Sequence, residues 1–275
     1  MPPKLSVITP ALNQASFIHE TLDTVAALPF AHEHIVIDAV STDGTMEILA
    51  AREDPSLTWV SEPDRGQTDA VNKGLRRATG EYCGWINADD AYVPETVAKA
   101  VAHLDANPDV AALYGFMDII DAEGAVIRNY RPAPFDFRRY LYLGDYVPTT
   151  AIIFRRALLD EIGFLDEQYK DAADYDFYLR MFHGRRIDRI AEPLIRFRFH
   201  DASKTAATPE VQLAEALAIR QKWAATPRHA AIMRGIDTAK QAVFKVANPW
   251  PPDKAVNRAA DAVYRLRERL TSSSS

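Results

Sequence analysis

The stretch Glu81-Tyr82-Cys83-Gly84-Trp85-Ile86-Asn87-Ala88-Asp89-Asp90 begins as a short apolar segment and ends in an amide and two carboxylates. We interpret the apolar part as a β-strand. Its polar end then lies at the carboxyl edge of a sheet, where open α/β sheets bind their ligands. Mg²⁺ takes oxygen ligands, typically one or two carboxylates together with substrate phosphates. Asn87-Ala88-Asp89 therefore predicts a clamp for a metal ion and a diphosphate. Taken alone, a strand-ending turn with solvated acids explains the stretch equally well.

On both sides of this stretch, short apolar runs alternate with segments of helical period. The predicted strands are 5–9, 34–38, 57–61 and 110–115, and the predicted helices are 16–28, 45–52, 68–78 and 94–107, the first of them capped by Ser16. This alternation predicts an α/β fold with a doubly wound, mostly parallel sheet. Thr9, Asp38 and Asn87 stand at three strand ends, so they should converge on one crevice.

After Asp118 the regular alternation of strands and helices ends. The sequence predicts a hairpin of 116–120 and 126–130, an aromatic helix at 135–143, a strand at 150–154, a helix from 171 to 182 and an extended segment at 190–199. We expect this half to form an antiparallel extension of the same sheet. The domain should therefore span 1–205. Residues 206–275 should form a basic, helical C-terminal tail whose last residues, 271–275, are disordered.

The composition is that of a globular protein, with 275 residues, 48% hydrophobic and 25% charged. No apolar run approaches the roughly 18 residues that a membrane span needs. The segment Met1-Pro2-Pro3-Lys4 leads directly into the first strand without the pattern of a signal peptide. The single cysteine, Cys83, excludes a disulfide framework and a cysteine-based metal site. We therefore expect a cytoplasmic protein.

Charge is distributed unevenly along the chain. Eleven Lys and Arg residues and four Asp and Glu residues lie between Arg220 and Leu270, although the whole chain carries a net charge of −6. This asymmetry indicates an acidic body with a basic tail. Nucleic acid and an anionic membrane surface are both partners of such tails. The tail segment near Trp250 favours the membrane or a protein partner over nucleic acid, with packing on the domain or a homodimer contact as alternatives.

Two common nucleotide motifs are absent from the sequence. No G-x-G-x-x-G follows the first strand, and no G-x-x-x-x-G-K-[ST] occurs anywhere. These absences argue against a dinucleotide-dependent oxidoreductase and a P-loop phosphotransferase.

Six groups of residues, taken in order, carry a resemblance to a known family. They are Ser6–Asn13; Val36–Asp38 with Ser41–Thr45; Glu62–Gln67 with Asp69–Gly74; Asn87–Asp90; Ala173–Asp176 with Leu179-Arg180; and Phe199-His200. Together they resemble the family 2 glycosyltransferases, over roughly residues 4 to 205. The resemblance implies the GT-A fold and inverting transfer of a sugar from a nucleotide-diphosphate donor to an acceptor hydroxyl, helped by Mg²⁺ or Mn²⁺.

The resemblance also implies a donor site. Asp38 would hydrogen-bond the base or ribose, or alternatively cap the turn at 41–44. Arg65 would contact a phosphate, or alternatively be a solvated loop arginine. Asp90 would point at the donor sugar or hold its loop. The full expected donor set is Thr9, Pro10 and Ala11, mostly through their backbone, with Asn13, Asp38, Arg65, Asp69, Asn87, Ala88 and Asp90.

The expected metal ligands are Asp89 and His200. The family's D-x-D motif reads Asn87-Ala88-Asp89 here, so one negative charge is missing. Asp89 is then the main carboxylate ligand, and Asn87 is expected at the ribose or a phosphate. An imidazole ligand suits Mn²⁺ better than Mg²⁺. An ordinary loop histidine is the alternative for His200.

Asp174 resembles the family's general base, which removes the proton of the acceptor hydroxyl. The usual preceding acid is Ala173 here. Asp171 and Asp176 are rival carboxylates, and a helix cap is the alternative role for Asp174. For the acceptor wall the candidates are Pro148-Thr149-Thr150 with Tyr140, Tyr142 and Tyr146, which could equally belong to the core.

The resemblance implies a metal-dependent hexosyl- or N-acetylhexosaminyl-transferase. We expect a UDP-sugar donor and a saccharide or lipid-linked acceptor, at the inner face of the plasma membrane, in cell-surface polysaccharide or glycolipid synthesis. A sugar nucleotidyltransferase is one rival, although Pro10–Gln14 lacks the Gly-rich basic loop that it needs. A degenerate nucleotide-binding or scaffolding module is the other, since Asn87 and Ala173 depart from the family pattern.

Overall fold

The computed structural model describes residues 2–143, 146–200 and 209–223, together with Gly235. Its first half alternates strands and helices as the sequence predicts. The elements are β1 (Leu5–Ala11), α1 (Ile18–Ala26), β2 (His32–Asp38), α2 (Thr45–Ala50), β3 (Leu57–Ser61), α3 (Gln67–Arg77), β4 (Tyr82–Trp85), β5 (Ala91–Tyr92) and α4 (Pro94–Ala106).

The second half builds onto the same sheet. Its elements are β6 (Val110–Ile120), β7 (Val126–Tyr130), α5 (Phe137–Leu143), a 3₁₀ turn (Thr149–Ala151), β8 (Ile152–Arg155), α6 (Leu158–Ile162), α7 (Ala173–Phe182), β9 (Arg186–Arg198) and α8 (Pro209–Lys222). Of the predicted tail helices, only α8 falls within the described residues. Apart from Gly235, the rest of the predicted tail beyond residue 223, with its disordered end, lies outside them.

Within the described residues, all nine strands belong to one sheet of order β3-β2-β1-β4-β8-β6-β9-β5, with β7 paired to β6. The strands β1, β2, β3, β4, β6 and β9 run in one direction, and β5, β7 and β8 run in the other. The predicted α/β fold with a doubly wound, mostly parallel sheet and an antiparallel extension is therefore confirmed.

The strand at 110 differs from the prediction in length and in place. Residues 110–115 and 116–120 were expected to be two strands, but they form the single strand β6. The expected parallel series ends at β4, because β8 lies between β4 and β6 and is antiparallel to both. The apolar pattern of 150–154 predicts a buried strand but does not specify its neighbours, which only the tertiary structure fixes.

Ser16 does not cap α1, and that prediction is wrong. Phe17 occupies the N-cap position without a side-chain hydrogen bond. The backbone N–H of Ile18 donates instead to the carbonyl of Gln14 at 2.9 Å. The chain thus enters α1 through a backbone turn, which leaves the side chain of Phe17 available for contacts elsewhere.

Helices cover both faces of the sheet, so the core has two layers. Ile8 of β1 packs in one hydrophobic cluster with residues of α3 and α7, such as Val71 and Phe177. Val7, the preceding residue, packs in a second cluster with residues of α1 and α4. Successive side chains on a strand point to opposite faces, so β1 supports both layers.

Gly74 allows α3 to lie close against β1. A Cβ at this position would collide with the side chain of Ile8. The third helix can therefore rest directly on the strand whose end contributes to the site. Asn72 is buried and exchanges two hydrogen bonds with the backbone of Leu165, at 2.9 and 3.0 Å.

The described part of the tail packs on the domain. Ile219 of α8 belongs to the same hydrophobic cluster as Tyr175 and Phe177 of α7, and Arg220 is also buried. Among the described residues, none of the helices combines the length and the apolar character that a bilayer crossing requires.

Candidate active site

The ends of β1, β2 and β4 lie side by side at the carboxyl edge of the sheet. Ala11 is paired with Asp38 across β1 and β2, and Ile8 with Trp85 across β1 and β4. The predicted convergence of these strand ends is therefore confirmed. Because β8 is antiparallel to β4, its start lies at the same edge, next to the segment that follows Trp85.

Asp38 is fully buried at the end of β2. One carboxylate oxygen accepts a hydrogen bond from the Ser41 hydroxyl, and the other accepts bonds from the Ser41 backbone N–H at 3.1 Å and the Ser61 hydroxyl at 2.6 Å. These contacts are those of the alternative role, a cap for the turn that begins at Ser41. The bond from Ser61 fixes this turn against β3, at the carboxyl edge of the sheet.

Two loops at this edge are joined by side-chain hydrogen bonds to backbone. The Asn13 N–H donates to the Ser41 hydroxyl at 2.8 Å, and the Thr42 N–H donates to the Asn13 side-chain oxygen at 2.9 Å. Thr45 and Asp43 accept from the next two backbone N–H groups, of residues 14 and 15. Asn13 thus shapes the crevice wall from a left-handed backbone conformation, at φ 53°, which asparagine tolerates.

Thr9 is buried, and its hydroxyl lies 2.9 Å from Nε2 of the buried His34. Burial of the imidazole lowers the pKa of His34 to about 3, so the ring is neutral. The side chain of Thr9 is therefore occupied within the protein. The expected backbone contact of residues 9–11 with a ligand stays a prediction.

The turn that follows β4 is held by its own polar residues. The amide of Gln67 donates to the Asn87 oxygen at 2.8 Å, and the Asn87 amide donates to Asp90 at 3.0 Å. Asp90 is fully buried and also accepts the Arg198 backbone N–H at 2.9 Å. Burial and the neighbouring charge of Asp89 raise the pKa of Asp90 well above its usual range. These contacts match the loop-holding role of Asp90.

Asp89 and His200 come together at this edge. Nε2 of His200 lies 3.1 Å from Oδ2 of Asp89, with about 10% and 18% of the two side chains exposed. The pair forms because β5, directly after Asp90, is hydrogen-bonded to β9, which ends two residues before His200. The His200 ring also packs on Phe17, with centroids 4.6 Å apart.

Arg198 is a residue of this site that sequence reasoning missed. It is 2% exposed. Its guanidinium donates to the carbonyl of Asp89 at 3.0 Å, to the carbonyls of Asp121 and Ala122 at 3.0 and 2.9 Å, and to the Glu20 carboxylate. It therefore joins the turn that carries Asp89, the β6–β7 hairpin and α1. Its position two residues before His200 was the one signal in the sequence.

The Asp89–His200 pair has the chemistry of a partial metal site. A carboxylate oxygen and an imidazole nitrogen are both ligands of Mn²⁺. Among the described residues, no group of three or more His, Cys, Asp and Glu side chains forms a complete ligand set. Two protein ligands fit the habit of Mg²⁺ and Mn²⁺ sites that are completed by substrate phosphates and water. The residues present therefore fit a metal that binds together with a diphosphate.

Asp69 and Arg65 interact with each other at the start of α3. Arg65 donates to Asp69 from its backbone at 3.1 Å and from its guanidinium at 3.2 Å, and it also pairs with Glu167. Burial opposes ionisation of Asp69, but these bonds and the charge of Lys73 outweigh it and hold the pKa of Asp69 below its usual range. The exposed Arg65 side chain is thus placed by two carboxylates, and its contact with a phosphate stays a prediction.

Asp174 lies in the first turn of α7, where Ala172 occupies the N-cap position. Its Oδ2 accepts the Thr149 hydroxyl at 2.8 Å, and its Oδ1 accepts the Tyr175 backbone N–H at 2.8 Å. Thr149 opens the 3₁₀ turn that leads into β8. The carboxylate of Asp174 is therefore fixed at the sheet edge where β4 ends.

The rival carboxylate Asp176 has a different environment. It is buried, and it binds Arg180 at 2.9 Å. The Arg180 guanidinium in turn donates to the carbonyls of Ile162 and Phe164. Asp176 thus joins α7 to the chain after α6. Asp171, the other rival, is partly exposed in the segment before α7.

Most of the expected acceptor wall is core. Tyr140, Tyr142, Pro148 and Thr150 are buried, so their assignment to an acceptor wall is not supported by the structure and the core alternative holds. An aromatic cluster and a sugar platform use the same residue types, which is why the sequence could not separate the two. Tyr146 and Thr149 are the partly exposed members.

Comparison with known proteins gives the family and the fold. The sequence model described as glycosyl transferase family 2 matches residues 6–163. An uncharacterized glycosyltransferase of Mycobacterium tuberculosis is 35% identical over 181 residues, which cover 65% of this chain and 68% of that protein. A PGL/p-HBAD biosynthesis glycosyltransferase of Mycobacterium bovis is 32% identical over 186 residues, covering 66% and 70%.

Solved structures share the fold at low sequence identity. Residues 1–349 of S. aureus TarS, in complex with UDP-GlcNAc, superpose with a TM-score of 0.67 and 21% identity over 89% of this chain and 76% of that one. A mannosyltransferase from Pyrobaculum calidifontis, in complex with GDP-Man and Mn²⁺, gives a TM-score of 0.62 and 24% identity over 98% and 81%.

Proposed function

This chain belongs to glycosyl transferase family 2, a family of glycosyltransferases with the GT-A fold, and on that premise we propose that it transfers a sugar from a nucleotide-diphosphate donor to an acceptor hydroxyl with inversion. The single observation that carries the proposal is the Asp89–His200 pair, 3.1 Å apart at the carboxyl edge of the sheet. Asp174 stands at the same edge.

The donor we favour is a UDP-sugar, with hexosyl or N-acetylhexosaminyl transfer. The TarS structure holds UDP-GlcNAc, although the mannosyltransferase structure holds GDP-Man. For any nucleotide donor, the hydrogen bonds of Asp38 and Asn13 hold the loops after β1 and β2 in place before a ligand binds. A preformed crevice lowers the entropic cost of binding a flexible nucleotide.

Asp89 and His200 would hold Mn²⁺ or Mg²⁺. When bound, such an ion neutralises the charge that develops on the departing diphosphate. Other residues of the chain keep these two ligands in place. Arg198 binds Asp90 and the carbonyl of Asp89, and Phe17 packs on the imidazole of His200. Asn87 faces Gln67 and Asp90 through its amide, so a phosphate or ribose contact would replace one of these bonds.

Asp174 would act as the general base. As the acceptor oxygen forms its bond to the anomeric carbon, its proton moves to the Asp174 carboxylate, and the bond from the anomeric carbon to the diphosphate oxygen breaks. The nucleoside diphosphate leaves with that electron pair. Thr149 orients the carboxylate by donating to Oδ2. A single displacement of this kind inverts the anomeric configuration.

We propose a saccharide or lipid-linked acceptor, used in making cell-surface polysaccharide or glycolipid. The relative named for PGL/p-HBAD biosynthesis supports this class. Membrane contact through the basic residues beyond α8, at the inner face of the plasma membrane, and a homodimer are parts of the proposal that rest on the sequence alone.

The test is turnover on a panel of UDP-, GDP- and dTDP-sugars with Mn²⁺, measured as release of the nucleoside diphosphate. We expect one donor to be consumed, and NMR of a transfer product to show the inverted anomer. A retained anomer would overturn the single displacement. Nucleotide binding without turnover of any donor would favour the scaffolding alternative, for which the amide at Asn87 and the missing acid at Ala173 are the motivating departures.

A further inference from the structure

The segment before α7 is held by a carboxylate from the tail. Glu215 of α8 accepts hydrogen bonds from the backbone N–H groups of Lys170, Asp171 and Ala172, each at 2.9 to 3.0 Å. Forty-three residues separate Glu215 from Ala172 in the sequence. Three consecutive N–H groups therefore converge on one side chain that comes from outside the segment.

This contact lies just before a helix start that has no side-chain cap. Ala172 stands at the N-cap of α7, and its side chain offers no oxygen to the free N–H groups of the first turn. A carboxylate close to a helix N-terminus is stabilising because of the partial positive charge there. Glu215 supplies a negative charge near this end of α7. It also fixes the path of residues 170–172. Asp174 follows two residues later.

Glu215 is itself held in place. On the same helix, Ile219 and Arg220 are buried, and the Arg220 guanidinium lies 5.8 Å from the centre of the Tyr175 ring. Lys222 binds the hydroxyl of Tyr169, the residue directly before the segment. The helix α8 therefore contacts residues on both sides of this segment, Tyr169 before it and Tyr175 after it.

We propose that Glu215 is a positioning residue for the general base, and that α8 is thereby part of the catalytic unit. It orders residues 170–172 so that the Asp174 carboxylate keeps its hydrogen bond to Thr149, aimed at the acceptor hydroxyl. This inference rests on the proposed function of Asp174. Glu215 contacts the segment before α7 and not the Asp89–His200 pair, so its loss should change turnover and leave donor binding unaffected.

The test compares Glu215→Ala with Glu215→Gln in the full chain. Glutamine keeps one oxygen for the three N–H groups, whereas alanine keeps none. Gln221→Ala, an exposed residue of the same helix, is the matched control. The readouts are turnover of UDP-GlcNAc, UDP-glucose and GDP-mannose with Mn²⁺, the Kd of UDP with Mn²⁺ by calorimetry, and hydrogen exchange of the backbone amides in residues 167–175.

We expect Glu215→Ala to lower kcat by about tenfold or more, since small misplacements of a catalytic group have effects of this size. The Kd of UDP should stay within about threefold of wild type, because the lost interaction concerns the base alone. Amide exchange at 167–175 should accelerate. Glu215→Gln should restore most of the turnover, and Gln221→Ala should match wild type in all three readouts.

Three results would overturn the inference. One is wild-type turnover in Glu215→Ala, and another is unchanged exchange at 167–175. The third is a fall in UDP affinity equal to the fall in turnover, which indicates general damage. Failure of the proposed function has a separate signature, which is that wild type turns over none of the donors. In that case the claim about Asp174 falls with it, and the exchange data still decide whether Glu215 orders the segment.

Discussion

Oδ2 of Asp89 and Nε2 of His200 lie 3.1 Å apart, although 111 residues separate them in the sequence. If both bind a metal with the donor diphosphate, His200→Ala should weaken Mn²⁺-dependent UDP binding. We expect a loss of about tenfold, the lower end of what metal-site residues contribute. Calorimetry with UDP, in the presence and absence of Mn²⁺, measures it.

The chain contains a matched control for this pair. His103 and Asp188 also form a His–Asp contact, at 2.8 Å, but between α4 and β9. His103→Ala should leave UDP binding unchanged with and without Mn²⁺. Equal losses in His103→Ala and His200→Ala would mean that the effect does not come from the metal site.

Variants of Asp174 and Asp176 distinguish an effect on catalysis from an effect on stability. Asp174→Asn should retain UDP binding and lose turnover by at least about a hundredfold, in the range of general-base contributions. Asp176→Asn should retain most turnover and lower the melting temperature, because it weakens the buried contact with Arg180. The two variants are compared by steady-state kinetics and thermal unfolding. Asp176→Asn being the inactive one of the two would transfer the base role to Asp176.

The buried His34 makes stability depend on pH. In the unfolded chain its pKa is near 6.5, whereas in the folded protein burial lowers it to about 3. The unfolded state therefore binds more protons below pH 6.5. The contribution of His34 to the free energy of unfolding is full above pH 6.5 and is lost as the pH falls. The loss is about 2 kcal/mol between pH 7.5 and pH 5.

Denaturant unfolding at several pH values checks this prediction against His34→Gln. Glutamine can still meet the Thr9 hydroxyl but does not titrate. The difference in unfolding free energy between wild type and variant should shrink as the pH falls from 7.5 to 5. A difference that stays constant with pH would show that His34 is not the titrating group.

Val40 is held in a left-handed backbone conformation, at φ 59°, beside the Asp38 turn. This region costs an L-residue about 1–2 kcal/mol, whereas glycine adopts it freely. Val40→Gly should therefore be about 1 kcal/mol more stable than Val40→Ala, the reverse of the usual order. Unfolding free energies of the two variants decide it. Val40→Ala being the more stable of the two would mean that the turn relaxes away from this conformation in solution.

The sheet edge could be predicted because the local sequence indicates where each strand ends. Two of the runs are short and mostly apolar, with Asp38 and Asn87 as the polar residues that mark their ends, and the structure places each beside β1. The bounds of β3 and β7 agree with the predicted 57–61 and 126–130. Local composition was sufficient for these elements, because β-branched and aromatic residues between turn signals are typical of a strand.

The order of the strands in the second half could not be predicted. The antiparallel β8 lies between β4 and β6, a placement that depends on pairing over long sequence distances. The two-residue strand β5 is too short to show a period, yet it is what brings His200 to Asp89.

Individual buried residues were also hidden from the sequence. Tyr140 is buried in an aromatic cluster, and its residue type fits a sugar platform equally well. Arg198 and Glu215 are charged residues that work through distant backbone groups. Such contacts leave no local pattern, since a charged residue is normally solvated.

The central claim is that Asp89 takes part in a metal-dependent donor site, and one measurement tests it most directly. The melting temperature of wild type and Asp89→Ala is followed with UDP, GDP and dTDP, with and without Mn²⁺, and with Asp188→Ala as the control. We predict that one nucleotide stabilises wild type and Asp188→Ala only when Mn²⁺ is present, and does not stabilise Asp89→Ala. Stabilisation of Asp89→Ala equal to that of wild type, or stabilisation that is independent of Mn²⁺, would contradict the account.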